Sequence, residues 1–194
     1  MMIQSRADYK EYVREDLKAM RCRRTGFLAT LVDWPLKFQL ALRKAEYYNN
    51  CCKYPWQKPL VIYHKIRYRR IGNRCGFTIP LNVCGKGLNI AHLGTIIING
   101  GAKIGDYCRI HAGVNIGTTA GKSAEAPTIG DRVYIGPGAK LYGPITIASD
   151  IAIGANAVVN KDFTTPGISI GGIPAKQISD KGSEGLLYAP EPLN

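Results

Sequence analysis

One histidine lies in an otherwise apolar and glycine-rich stretch of the chain, "LNIAHLGTIIINGG" at residues 88–101. Such a residue offers proton transfer, because an imidazole has an ordinary pKa of about 6.5 and can take a proton from a hydroxyl group at neutral pH. The alternative for His92 is a structural role, as a corner residue hydrogen-bonded to a backbone carbonyl. The elements on either side of His92 bear on this choice.

The other two histidines and the cysteines offer further candidates. His111, in "RIHAGVNIG", directly follows an aliphatic residue that we predict to point inward, so it should point outward, either into the same cleft as His92 or onto an ordinary surface. His64 lies in the basic stretch "VIYHKIRYRR", where packing or solvent exposure accounts for it. The six cysteines form no Cys-x-x-Cys pair and the histidines lack metal-site spacing, so we expect reduced thiols and no metal.

The second part of the chain repeats every six residues. A period of six fits neither an α-helix nor a single alternating strand, and it is the signature of a parallel β-helix in which three hexapeptide sides make one coil. Glycine often follows the repeated aliphatic residue, as at Gly105, Gly130 and Gly136, and we expect it to form tight corners. The repeated residues are Ile98, Ile104, Ile110 and Ile116, then Ile129, Ile135, Leu141, Ile147, Ile153 and Val159.

Two irregularities interrupt the repeat. Thirteen residues rather than twelve separate Ile116 from Ile129, so we predict that "GTTAGKSAEAPT" leaves the coil as a surface loop. The three consecutive isoleucines at 96–98 indicate a second change of register. His92 lies beside this second change.

The first part of the chain is basic and predicted to be helical. Residues 1–76 carry 17 Lys and Arg against 6 Asp and Glu, whereas residues 77–194 carry 9 against 8. Helices are predicted in "VDWPLKFQLALRKAEYYNN", with Asp33 as the N-cap, in "QKPLVIYHKIRYRRIGNRCG", and in "SRADYKEYVREDLKAM". One apolar face of the last of these segments is predicted to consist of Tyr9, Tyr12, Val13, Leu17 and Met20.

We therefore predict a mainly β fold with an N-terminal α-helical region. The composition changes near Gly76, which we take as the domain boundary. The predicted parts are a basic α-helical region at 1–76, a parallel β-helix at 77–178 and a C-terminal tail at 179–194.

These motifs resemble the hexapeptide-repeat acyltransferases, and within them the serine acetyltransferase-like branch. The resemblance implies a left-handed parallel β-helix, acetyl-CoA as co-substrate, a small-molecule or glycan hydroxyl as acceptor, and a homotrimer with active sites between subunits. The helical part is similar to the short forms found in surface-polysaccharide gene clusters. The motifs that carry the resemblance are "KGLNIAHLGTIIINGGAKIGDYCRIHAGVNIGTT", "TIGDRVYIGPGAKLYGPITI", "AIGANAVVNKDF" and "GGIPAKQI".

The resemblance also implies roles for single residues. His92 matches the histidine that serves as catalytic base, and His111 is a second candidate in the same cleft. The sequence has no Gly-x-Ser-x-Gly nucleophile motif, which favours direct transfer from acetyl-CoA over an acyl-enzyme. The positions that match those beside coenzyme A are Thr118, Ala139, Ala157, Lys161 and Lys176.

Three positions depart from the serine acetyltransferase pattern. Ala126 stands where that family has a second histidine associated with holding the amino acid, and Phe77 where it has a carboxylate that orients the base. Ala91 replaces an aspartate often found just before the base. These departures favour a sugar hydroxyl in surface-polysaccharide biosynthesis as the acceptor. The alternatives are L-serine, in cysteine biosynthesis, and a non-catalytic β-helix that binds or scaffolds.

Charge and hydropathy suggest where the protein acts. The N-terminal residues lack the apolar core of a signal peptide, and no apolar run approaches the roughly 20 residues of a membrane-spanning helix, so we expect a cytoplasmic protein. The basic N-terminal part is either a solvated helical surface or a contact with anionic lipid at the inner face of the membrane. Nucleic-acid binding is not expected, because no recognition motif accompanies the charge.

Overall fold

The computed structural model describes residues 2–20, 32–122 and 125–187. The predicted helical segments are confirmed as three helices of this part of the chain. Cys22, residues 123–124 of the predicted loop and residues 188–194 of the predicted tail lie outside it. The helices are α1 (Arg6–Ala19), α2 (Trp34–Cys51) and α3 (Lys58–Cys75), with a short 3-10 turn at Pro55–Gln57.

Local capping fixes where the helices begin and end. The Ser5 hydroxyl accepts the backbone N–H of Asp8 at 3.1 Å, and the Asp33 carboxylate accepts that of Leu36 at 2.9 Å, so each satisfies an N–H group that the first helical turn leaves unpaired. α3 ends at Gly76, whose φ of +79° is the left-handed conformation that closes many helices. No helix among the described residues is both long and apolar enough to span a bilayer.

The predicted face of α1 is wrong in part. Its fully buried side chains are Tyr12, Glu15, Asp16 and Ala19, whereas Val13 and Leu17 are only half-buried. The reason is electrostatic: the acidic side of this helix faces a buried arginine of α2, described below. Apolar periodicity alone does not reveal such a pairing.

The second part is a parallel β-helix with three flat sides. Side A consists of β1 (Phe77–Thr78), β3 (Ile96–Ile98), β6 (Asn115–Gly117), β9 (Lys140–Tyr142) and β12 (Val158–Val159). Side B consists of β4 (Lys103–Ile104), β7 (Thr128–Ile129) and β10 (Thr146–Ile147). Side C consists of β2 (Asn89–Ile90), β5 (Arg109–Ile110), β8 (Tyr134–Ile135), β11 (Ala152–Ile153) and β13 (Ser169–Gly171), and it ends with the antiparallel β14 (Lys176–Ser179).

The repeated aliphatic side chains stack inside the coils. Ile110 pairs with Ile135 on side C, and Ile116 pairs with Leu141 on side A, so equivalent positions of successive coils lie directly above one another. These side chains are essentially inaccessible to solvent. The six-residue period therefore reports one inward side chain per side, as predicted.

The predicted role of glycine at the corners is wrong for the residues that directly follow the aliphatic position. Gly105, Gly130 and Gly136 do not have positive φ. Glycine is needed there because, for example, a Cβ at Gly105 would lie 2.6 Å from the backbone of Gly130 in the next coil. The left-handed corner position instead lies three residues after the aliphatic one, and its occupants are Tyr107, Gly113, Arg132, Gly138, Asp150 and Asn156. Gly87 occupies the same position three residues after Cys84, which pairs with Ile104.

The two irregularities of the repeat lie at corners. Between Ile116 and Ile129 the chain leaves the coil, yet β4 still pairs with β7, so the loop interrupts one corner and not the stack. Between sides C and A, eight residues separate Ile90 from Ile98 in the first coil, whereas six separate Ile110 from Ile116 in the next. The corner of the first coil is thus two residues longer.

Polar side chains of the helices cover the open end of the first coil. We call this group the arginine cap: Arg43 of α2, the carboxylates of Asp16 and Glu46, and the carbonyls of Cys84 and Gly85. The Arg43 guanidinium is fully buried and donates to both carboxylates and to both carbonyls. Gln39 adds a bond to the carbonyl of Leu88 at 2.7 Å. Backbone groups that have no preceding coil to pair with are satisfied in this way.

Helices and β-helix share one core. Phe38, Leu42 and Ile71 of the helices are buried in the same cluster as the inward isoleucines of the coils. The predicted boundary at Gly76 coincides with the end of α3. The predicted boundary after residue 178 is wrong, because it cuts β14, which pairs with β13 and continues to Ser179.

Candidate active site

His92 lies in the lengthened corner between sides C and A. The two extra residues carry the chain outward, so the His92 side chain is exposed and its neighbour Leu93 is 51% exposed. Gly94 then returns the chain against the next coil, where a Cβ would lie 2.9 Å from the Cβ of Ala112. The structure thus places the imidazole at the surface with solvent access, where it can meet a ligand.

His111 lies beside His92 on the next coil. The two ring centroids are 5.7 Å apart, and the ring of Tyr134 lies 5.0 Å from His111 on its other side. The Nε2 atom of His111 is buried and has no hydrogen-bond partner in the described part of the chain. Of the two alternatives that the sequence left open for His111, the structure shows the position beside His92, although His111 is more enclosed than an outward residue was expected to be.

The surroundings of His111 keep its imidazole uncharged at neutral pH. Burial lowers the pKa of His111 to about 4, and the charge of Arg109 acts in the same direction. A neutral imidazole has one nitrogen that donates and one that accepts a hydrogen bond. His111 can therefore offer either kind of bond to a polar ligand beside His92.

Three of the predicted cofactor residues lie along the same edge of the β-helix as His92. Corners between sides C and A stack from coil to coil, as the bonds from Gly138 N–H to the Ala112 carbonyl and from Asn156 N–H to the Pro137 carbonyl show. Ala139 and Ala157 belong to the second and third corners above His92, about 10 and 14 Å away at a coil spacing of about 4.8 Å. Lys176 follows the next corner and is exposed.

The alanines of this edge can border a ligand only through their backbone. Both side chains are fully buried. Their N–H groups donate to the carbonyls of Gly136 and Gly154, and their carbonyls accept from Asn115 and Lys140. That these residues contact coenzyme A stays a prediction. Such a contact would use the surface of their backbone and not a hydrogen bond, because their N–H and C=O groups are already paired.

The other two predicted cofactor residues lie across side A. Thr118 follows β6, and Lys161 follows β12, both at the corner that leads to side B. The Lys161 ammonium lies over the ring of Phe163, 5.4 Å from its centroid. Within one protomer these two residues are therefore separated from His92 by the width of a side.

Positions that would support a histidine base in the family pattern are apolar here. Phe77 is buried and packs edge-to-face on Phe38, with ring centroids 5.1 Å apart. Ala126 and Ala91 are half-buried. Within residues 2–20, 32–122 and 125–187, the His92 ring forms no hydrogen bond, either as donor or as acceptor. A bound ligand or a second subunit would have to supply the group that orients it.

The remaining candidates fall outside this region. His64 is buried in α3 and stacks on Tyr48 at 4.2 Å, in keeping with packing. The five cysteines in the described part are free, and no three potential metal ligands cluster there. Sequence reasoning missed Tyr134 and Arg109 as neighbours of His111. Strand register could have found them, because both precede an inward isoleucine on side C.

Comparison with known sequences finds similarity to bacterial acyltransferases. A model of the bacterial transferase hexapeptide family (six repeats) matches residues 126–161. Serine acetyltransferase from Helicobacter pylori is 42% identical over 88 residues, which are 45% of this chain and 52% of that protein. The chain spans about half the length of the curated relatives it matches.

Solved structures agree over nearly the whole chain. Serine acetyltransferase from Neisseria gonorrhoeae in complex with serine has a TM-score of 0.68 at 27% identity, and the match covers 90% of this chain and 71% of that one. The enzyme from Brucella abortus in complex with coenzyme A has a TM-score of 0.69 at 25% identity, over 91% and 70%. These likenesses confirm the left-handed parallel β-helix and the resemblance to the serine acetyltransferase-like branch.

Proposed function

We propose that this chain, whose repeats and fold match the serine acetyltransferase-like branch of hexapeptide-repeat acyltransferases, is an acetyl-CoA-dependent O-acetyltransferase with L-serine as its acceptor. The observation that carries the proposal is His92, exposed in a corner that departs from the regular coil and lies beside the uncharged His111. Relatives named serine acetyltransferase, one of them solved with serine, favour this acceptor over others.

The chemistry that follows needs one base. The His92 imidazole takes the proton of the acceptor hydroxyl while the hydroxyl oxygen bonds to the acetyl carbonyl carbon of the thioester. The carbon–sulfur bond then breaks, and the proton held by His92 passes to the departing thiolate. Acetyl ester and free thiol are the products. His111 would hold a polar group of the acceptor through its otherwise unpaired Nε2.

Coenzyme A is proposed to lie along the edge that contains His92, Ala139 and Ala157. Lys176 and Lys161 are exposed cations near the last coils, and their ammonium groups would bind its phosphates. Lys161 and Thr118 lie at the far corner of side A, so they would reach the same ligand only from a neighbouring protomer.

A homotrimer would let a neighbouring protomer supply Lys161 and Thr118 to the site. In a cyclic trimer, one patch of each subunit meets a different patch of the next, so the far corner of side A in one protomer can face His92 in another. Three large apolar side chains on or beside side A are exposed in the single chain: Leu93, Ile97 and Tyr142, at 51%, 41% and 40%. Burial of these residues between subunits would stabilise such an assembly.

A sugar hydroxyl of a surface-polysaccharide precursor is the second candidate acceptor. It is favoured by Phe77 and Ala126, which put apolar groups where the family pattern has a carboxylate and a histidine. An acceptor without the charged amino and carboxylate groups of serine would need fewer polar partners.

The test is thiol release from acetyl-CoA in the presence of L-serine or of a panel of nucleotide sugars. Turnover with serine and none with sugars is expected, and the reverse would reject serine as acceptor. His92→Ala should lower kcat at least about 10²-fold, the low end for loss of a general base. Its thermal unfolding should not change, since the ring is exposed. Lys103→Gln, at an exposed position on side B, is the control, and near-normal turnover of His92→Ala would reject His92 as the base.

A further inference from the structure

The segment from Lys53 to Arg74 is basic without any acidic residue. It carries Lys53, Lys58, Lys65, Arg67, Arg69, Arg70 and Arg74, and the chain has no Asp or Glu from Tyr47 to Gly105. No acidic side chain of its own segment can therefore neutralise these cations. A concentration of one charge on a surface indicates a partner of the opposite charge.

The same segment also exposes large apolar side chains. Six of the fourteen large apolar residues that are exposed in the described part of the chain lie within it: Tyr54, Trp56, Leu60, Ile62, Tyr63 and Ile66. Trp56 is 73% exposed and stacks on Tyr54 at 4.6 Å. Such clustering within 13 residues goes beyond the single exposed apolar residues that any protein surface shows.

Helix periodicity arranges three of these residues, together with Pro59, into a stripe. The buried side of α3 consists of His64, Ile71, Gly72 and Cys75. Pro59, Ile62, Tyr63 and Ile66 are spaced at i, i+3, i+4 and i+7, which places them together on the opposite side. Lys58, Lys65 and Arg69 fall along one flank of this stripe, and Arg67 and Arg74 along the other. Arg70 follows Ile66 by four residues and lies at the end of the stripe. We call this surface, together with Tyr54 and Trp56, the basic-apolar face.

We propose that the basic-apolar face binds the surface of an anionic phospholipid bilayer. An outward apolar stripe flanked by cations is the arrangement of a helix that lies in the plane of a membrane, with its apolar side chains at the boundary of headgroups and acyl chains. The flanking cations would contact lipid phosphates, and the aromatic pair would lie at the headgroup level. The face lies outside the candidate active site, so the proposal does not depend on the proposed function.

Charge argues against a second copy of the chain as the occupant. Two such faces would bring two sets of cations together with no carboxylate of the segment to pair them, and like charges in contact are unfavourable. The phosphates of a nucleic acid would pair with the cations, yet they would not bury the isoleucines at the centre of the stripe. The bilayer is the partner that uses both the charge and the apolar stripe.

Sedimentation with lipid vesicles tests the proposal on the full chain. The protein is expected to bind vesicles in which about a third of the lipid is phosphatidylglycerol, to bind pure phosphatidylcholine far less, and to be released by salt. Arg69→Gln with Arg70→Gln should weaken binding about 30-fold, since each cation near the surface is worth about a factor of five. Ile62→Ser with Ile66→Ser should weaken it at least about tenfold.

Matched changes elsewhere are the controls. Lys103→Gln with Lys181→Gln removes two exposed cations, and Ile178→Ser removes an isoleucine that is 66% exposed. Both control variants should bind as the wild type does. All variants should unfold at the wild-type temperature, because the changed side chains are exposed and surface changes cost little.

Tryptophan fluorescence gives a second readout. In a Trp34→Phe background Trp56 is the remaining tryptophan, and its emission should shift to the blue on adding anionic vesicles. Three outcomes would overturn the proposal: equal binding to both kinds of vesicle, no effect of the arginine and isoleucine changes, or an unshifted Trp56. A lipid-free oligomer that dissociates when Ile62 and Ile66 are changed would assign the face to protein contacts instead.

Discussion

Replacing Arg43 by lysine should destabilise the protein even though the charge is kept. The guanidinium has five N–H donors, and all five are used: two to Asp16, at 2.8 and 3.3 Å, one to Glu46 at 3.0 Å, and one each to the carbonyls of Cys84 and Gly85. The side chain is inaccessible to solvent. Water therefore cannot replace a bond that the substitution removes.

The magnitude follows from counting acceptors. A lysine ammonium has three donors, so at least two of the five bonds cannot form, and each buried polar atom left unsatisfied costs about 1–3 kcal/mol. Arg43→Lys should thus lower the free energy of unfolding by about 2–6 kcal/mol. That is a large part of the roughly 5–15 kcal/mol by which native proteins are stable.

Urea unfolding followed by circular dichroism measures this loss. Arg14→Lys is the matched control, because Arg14 also pairs with a carboxylate of α1 but its side chain is 64% exposed. The control should change the free energy of unfolding by less than about 0.5 kcal/mol. If Arg43→Lys were as stable as the control, the claim that the arginine cap satisfies the open end of the first coil would be refuted.

Other predictions concern His111, the glycines and a helix cap. The pKa of His111 is lowered to about 4 in the folded state, so stability should be complete above the ordinary value of about 6.5 and fall as pH drops towards 4. His111→Asn should remove this loss, on the order of 1–2 kcal/mol after solvent screening, in urea titrations at several pH values. A pH profile identical to that of the wild type would contradict it. Gly105→Ala should cost about 2 kcal/mol or more, because its Cβ would overlap the next coil, whereas Gly117→Ala, whose Cβ meets only Asn115 at 3.4 Å, should be mild. Equal melting temperatures for the two alanine variants would show that coil spacing is not what selects glycine. Asp33→Ala should cost about 0.5–2 kcal/mol, measured by thermal unfolding, through loss of the N-cap bond.

The coil architecture could be predicted because its cause is local and repeated. Each inward isoleucine fills the same narrow interior, so one six-residue rule is repeated along the chain and small errors at single positions do not obscure it. The helix ends could be predicted for a similar reason, since Ser5, Asp33 and Gly76 act on residues only a few positions away. The place of His92 followed from a break in that rule.

Long-range pairings could not be predicted. Arg43 and Asp16 are 27 residues apart, and nothing in the pattern around either indicates that a helix surface with charged residues faces inward. The contact of His111 with Tyr134 spans the loop and required knowing which coils stack. The sequence also offered no residue to orient His92, because the matching position is Phe77, which is part of the core.

The lengthened corner has a consequence for how many sites the β-helix can hold. A stack of coils is a one-dimensional lattice in which each corner is related to the next by the same translation, as between Ile135 and Ile153, eighteen residues apart. A ligand that recognised a regular corner would find several equivalent positions along the edge. The two extra residues between Ile90 and Ile98 break the translation once, so the surroundings of His92 occur at one level of the stack. Adding regular coils would lengthen the protein without duplicating that site.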